Sequence, residues 1–129
     1  MWTHAILPLF FASATVANAS AELLRTPVSV NLVGDDGLTQ KLSVGIETAL
    51  KHDPDLRPAV AGDRNIVSIT SDGNVDWDKL DGRTVVIYTV HVFHGSESGE
   101  PSVGICYESG IKKCVSDILR LARIDAKGL

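Results

Sequence analysis

Apolar and polar residues alternate from Val28 to Val33, with Val28, Val30 and Leu32 on one side of an extended chain and Ser29, Asn31 and Val33 on the other. A period of two marks a half-buried strand. After the polar turn Gly34-Asp35-Asp36-Gly37 the period changes. Leu38, Leu42, Ile46, Ala49 and Leu50 recur on one side of a 3.6-residue repeat, which predicts a helix from Leu38 to His52 capped by an aspartate. Asp53-Pro54 ends it, because the proline ring clashes with a continued helix.

Leu56 to Val60 reads as an optional short strand, and Asn65 to Thr70 (NIVSIT) as a full one. Ser71-Asp72-Gly73-Asn74 and Asp81-Gly82 are turn clusters, with Asp76 or Asp78 expected to cap a short helical turn between them. Arg83 to Phe93 (RTVVIYTVHVF) is rich in β-branched and aromatic residues on both faces, the pattern of a central strand. A polar loop, Gly95 to Pro101, separates it from Ser102 to Tyr107, which is expected to pair back across that loop. Ile111, Cys114, Val115, Ile118, Leu119 and Ala122 then fall at helical spacing, with Ser109 as the expected N-cap.

The order β-α-β-β-β-α, with one optional strand, predicts an α+β fold. The expected form is a two-layer sandwich: a mostly antiparallel sheet of four to five strands with two helices on one face. Its strand-helix-strand opening is similar to small accessory domains of the bacterial envelope. The likeness is architectural and carries no residue across.

Ahead of these elements, Ala5 to Ala17 is an apolar run too short to span a bilayer, which needs roughly 20 residues. Ala17-Asn18-Ala19 supplies the small-x-small pattern of a cleavage site, so Met1 to Ala19 reads as a secretory leader, with cleavage after Ala19 or alternatively after Ala21. The expected product, residues 20–129, is a single domain without a transmembrane anchor, either periplasmic or secreted. No charged residue lies in the leader, so the net charge of −4 belongs to the remainder. A mildly acidic surface without a Lys/Arg cluster and with few aromatics argues against nucleic acid as a partner.

Export changes the reading of the two cysteines, Cys106 and Cys114. In an oxidising compartment, a strand that turns directly into a helix packed on its own sheet can bring them within disulfide range. Closing so short a loop stabilises by about 2.5 kcal/mol on the chain-entropy estimate. Their spacing does not fit a C-x-x-C redox pair.

The remaining constellations name no reaction. His91 and His94 are the weak metal or acid-base candidates, but an odd separation sets two imidazoles on opposite faces of a strand, and zinc needs three or four converging ligands. Asp72, Asn74, Asp76 and Asp78 space oxygen ligands as a calcium loop begins, yet Trp77 stands where glycine is needed and Arg83 where the bidentate glutamate belongs. Trp77 is expected to pack rather than to be exposed. Gly95-Ser96-Glu97-Ser98-Gly99 has glutamate in the nucleophile's place of G-x-S-x-G.

With no catalytic residues and no cofactor or metal expected, the sequence points to a non-enzymatic exported domain with a protein partner, of the envelope-accessory or inhibitor/immunity type. Its contacts are expected on two loops: Asp72, Asn74, Asp76, Trp77 and Asp78 in one, Glu97 and Glu100 in the other. The alternatives are a soluble small-ligand carrier with a cavity between helices and sheet, and a small metal-dependent or acid-base enzyme using His91 and His94.

Overall fold

The computed structural model describes residues 24–96 and 98–129. The leader, both cleavage sites and Glu97 lie outside these residues. The elements are β1 (Thr26–Leu32), α1 (Gly37–His52), β2 (Leu56–Pro58), β3 (Val67–Ser71), β4 (Asp76–Leu80), β5 (Arg83–His94), β6 (Pro101–Tyr107), a 3-10 turn (Glu108–Gly110) and α2 (Ile111–Ala126).

The chain is α+β, as the patterning predicts, but the sheet is mixed and has six strands. β1 runs parallel to both β2 and β3, whereas β3, β4 and β6 are all antiparallel to β5. The parallel half follows from α1, because a helical crossover returns the chain to the end from which it left. β5 is central: its start pairs β4, its end pairs β3, and its other edge pairs β6.

β4 corrects the expected helical turn. Its sequence, DWDKL, lacks an apolar alternation because all five residues are exposed, and its backbone pairing with β5 alone makes it a strand. The tight Asp81-Gly82 turn closes this hairpin, with both residues at positive φ (53° and 75°), the backbone that two-residue hairpin loops require.

Both helices lie on one face of the sheet. Leu42, Ile46 and Leu50 of α1 and Cys114, Ile118 and Ala122 of α2 are fully buried against Val28, Val67, Ile69, Val86 and Val90 of the strands. The predicted stripes are thus the buried ones. Asp36 caps α1 by accepting from the Thr39 amide at 2.7 Å, which holds its carboxyl below the ordinary value. The expected Ser109 cap does not form: Gly110 occupies the N-cap of α2 with no side-chain bond, and Ser109 Oγ accepts from Arg83 instead.

Polar clips close the edges. Asp53, 8 % exposed, accepts from the Asp55 and Leu56 amides at 2.8 and 2.9 Å and pairs with Arg123 of α2. One carboxylate therefore ties the end of α1 to β2 and to α2. At the sheet's edge Arg57 of β2 forks onto both oxygens of Asp63 at 2.9 and 2.7 Å, which pulls the Asp63 carboxyl down to about 2.

Candidate functional site

Cys106 and Cys114 are bonded, with their Cα atoms 5.8 Å apart. The 3-10 turn leads β6 directly into α2, which is the geometry the sequence requires. The bond also fixes which way β6 faces. Cys106 points towards the helices, so its alternating neighbours Val103, Ile105 and Tyr107 point away from them.

Register carries that outward face across the sheet. Thr89, Ile87 and Val85 of β5 stand opposite Val103, Ile105 and Tyr107. On the other side Ile87, Val85 and Arg83 stand opposite Asp76, Asp78 and Leu80 of β4. Among the described residues no helix covers this face, and Val103, Ile105 and Leu80 are 68 %, 52 % and 50 % exposed. The same face becomes polar at Ser68 and Thr70 of β3 and Ser29 and Asn31 of β1. Apolar surface left in water is therefore confined to β4, β5 and β6.

The two expected binding loops meet at one end of this face. His91 Nε2 lies 3.2 Å from Asp72 Oδ2, and its Nδ1 lies 3.4 Å from the Gly99 carbonyl. Both partners are acceptors, so both contacts form only when the imidazole carries two protons. The Asp72 carboxylate accordingly raises the pKa of His91, with burial opposing it. His91 thus clasps the Gly95–Glu100 loop to the β3–β4 turn.

His94 does not join it. Its Nδ1 meets Asp125 of α2 at 2.8 Å on the helix-covered face. The odd separation has the consequence expected of it, and the pair cannot converge on one substrate or ion. Among the described residues no group of three or more His, Cys, Asp or Glu side chains is placed to hold a metal.

The other expected contact residues divide. Asn74 is a structural residue: its Oδ1 accepts from the Asp35 and Asp36 amides at 2.9 and 3.3 Å, anchoring the turn before α1. Asp72 holds His91, and Asp76 and Asp78 lie on the rim of the open face, so the oxygen spacing of the calcium-like stretch is spent on a turn and a strand. Trp77 overturns the packing expectation at 59 % exposed. It shares its face with Val86, but β4 runs past the end of the helices, and the indole lines a cleft of about 550 Å³ with Asp36, Lys79, Thr84 and Glu108. Glu100 is exposed beside Pro101 at the start of β6.

A second cleft, of about 710 Å³, lies at the far edge between Arg25, Asp55, Leu56, Arg123 and Lys127. Arg25 there donates to the Leu50 and Leu56 carbonyls, and Arg123 is held by Asp53. These cations serve the fold. Neither cleft lies between helices and sheet, where the carrier reading needs its cavity.

The patterning missed Gly104. It stands opposite Tyr88, whose ring lies directly over its Cα on the helix-covered face, so that a Cβ there would fall 2.2 Å from the ring. The signal was a lone glycine inside a strand, which often marks close approach.

No helix among the described residues is long and apolar enough to cross a membrane. No protein-family model matches the chain, and no curated protein matches it in sequence. Solved structures with a similar backbone path include a dodecameric PelC variant from Paraburkholderia phytofirmans, 14 % identical over 78 % of this chain and 86 % of that one with a TM-score of 0.49. A minor lipoprotein from Acinetobacter baumannii is also 14 % identical, over 78 % and 94 %, with a TM-score of 0.46. Likeness at this level assigns no function to the chain.

Proposed function

We propose that this protein is a small exported, non-enzymatic domain that works by binding another protein in the envelope or extracellular space, as an accessory or inhibitory factor. The carrying observation is the uncovered apolar face of β4–β5–β6, bordered at one end by the two loops that His91 joins. A chain of this size that leaves its helices' stripes fully buried but leaves Val103, Ile105 and Leu80 in water has a use for that face other than its own core. The leader pattern and the closed disulfide support an oxidising compartment. The divergence of His91 and His94 removes the site on which the acid-base reading depended.

Affinity capture from an envelope extract tests this. The wild-type chain is expected to recover a discrete protein that is lost with the double variant Val103→Lys/Ile105→Lys. Glu47→Lys, on the exposed side of α1, should leave recovery unchanged. Equal recovery by all three chains would discard the face, and loss on deleting 95–100 alone would move the site to the loop.

A further inference from the structure

The sheet's edges are not alike. β2 is three residues long and carries Arg57 and Pro58, and β4 carries Asp76, Asp78 and Lys79. Short length, charge and proline are the ordinary protections of an edge against unwanted pairing. β6 has almost none of them. It is seven residues long, PSVGICY, with no charge at all and its one proline at the first position. One edge pairs β5 from Pro101 to Tyr107, and among the described residues no strand takes the other.

Its outward side chains, Val103 and Ile105, continue the uncovered apolar face to that edge. The only charges beside the strand are Glu100 immediately before it and Glu108 immediately after it. Glu108 is 40 % exposed, with Lys41 at 3.6 Å as a loose surface partner.

These flanks decide the occupant. A second copy adding antiparallel and centred on Gly104 would set Val103 against Ile105, an acceptable pair, but would also set Glu100 against Glu108 twice over. Like charges directly opposed across a ladder are unfavourable. A different chain with a cation at each end of an uncharged stretch meets no such repulsion.

Resting on the reading of this protein as a binding domain, we propose that β6 is a strand-addition site. Its occupant is an extended segment of a protein partner, apolar at alternate positions, uncharged along its middle and flanked by Lys or Arg about eight residues apart. The backbone of β6 would supply the hydrogen bonds, the row formed by Val103 and Ile105 the side-chain contacts, and the two glutamates the register and direction.

The probe is a nine-residue peptide with alternating Val and Thr between two terminal lysines, compared with the same core between two glutamates. Amide hydrogen exchange of the purified protein is followed by NMR, with sedimentation alongside. In the free protein, the β6 amides not bonded to β5 are expected to exchange fast. The lysine-flanked peptide should protect them, binding about tenfold more tightly than the glutamate-flanked one at low salt, with the gap narrowing at high salt. The double variant Glu100→Lys/Glu108→Lys should reverse that preference. These residues are outside the core, so its circular dichroism should match wild type.

Outward amides of β6 already protected in a free monomer would mean that another segment of the same chain fills the edge, and protection within a dimer would mean that a second copy does. Either result overturns the proposal. So does an absence of saturable binding, or a preference that the charge swap leaves unchanged. If these fail while Val103→Lys/Ile105→Lys still loses the captured protein, the binding role stands and only strand addition is wrong.

Discussion

Replacing Gly104 by alanine places one methyl group where Tyr88 already sits. An alanine Cβ would lie 2.2 Å from both Cζ and Oη of the ring and 2.5 Å from Cε2, whereas ordinary contact begins near 3.4 Å. The ring must retreat by more than an ångström, and it has little room. Tyr88 is 3 % exposed, in the core layer with Val86 and Val90 beneath α2. Overpacking of this kind costs about 1–3 kcal/mol, and a gap this short belongs at the upper end. Removing a strand glycine returns about 0.5–1 kcal/mol by restricting the unfolded chain. The net expectation is a loss of about 2 kcal/mol, or a melting temperature lower by about 8 °C for a domain of this size.

Urea and thermal melts of Gly104→Ala, Tyr88→Leu and the double variant separate the clash from a general intolerance of β6. Leucine lacks Cζ and Oη, so Gly104→Ala should cost almost nothing in the Tyr88→Leu background, a coupling of about 1.5–2 kcal/mol. An alanine variant that melts at or above wild type would refute the reasoning. So would one that costs the same in both backgrounds.

Cys106→Ala/Cys114→Ala removes the bond that joins β6 to α2, at about 2.5 kcal/mol from loop closure and about 10 °C in melting temperature; a thiol titration of unreduced wild type should find none, and two would contradict the bond. Asp53→Ala strips two amides and Arg123 of their acceptor and should cost about 2–3 kcal/mol, with Asp53→Asn milder because one carbonyl oxygen can still serve the amides; equal melts for wild type and Asp53→Ala would refute the clip. The raised pKa of His91 means that its clasp contributes fully below the unfolded value of 6.5 and is lost as pH rises through the higher folded value. Amide exchange in the Gly95–Glu100 loop should therefore quicken over that rise beyond the ordinary pH trend, and His91→Gln should abolish the excess; an excess unchanged in His91→Gln would rule the clasp out.

Both helices and the central strand were legible because burial writes a period into the chain: Leu42, Ile46 and Leu50 recur at one spacing, and Cys114, Ile118 and Ala122 at another. β4 was not, since an exposed strand held by backbone pairing alone leaves no apolar period to read. The parallel pairing of β1 and β3 was also hidden, because alternation reports which face is buried and not which strand lies alongside. Trp77 was misjudged for a tertiary reason: its parity matches the covered face, but the helices stop short of it.

The open face could have been read. If Cys114 lies on the buried stripe of α2 and bonds Cys106, then Cys106 faces the helices. Val103, Ile105 and Tyr107 must then face away. That step was available from the residues alone, whereas the loops at Asp72–Asp78 and Gly95–Glu100 drew attention only by being polar. Of these, Asn74 turned out to hold the fold together, and Asp72 to hold His91.

The central claim is that the outer face of β4–β5–β6 is the working surface of this protein. A photo-crosslinking residue at position 105, in the cells that make the chain, tests it most directly. The account predicts one prominent adduct with another protein, absent when the same residue is placed at position 47 on the exposed side of α1. Adducts of equal strength from both positions, or none from position 105, would contradict it.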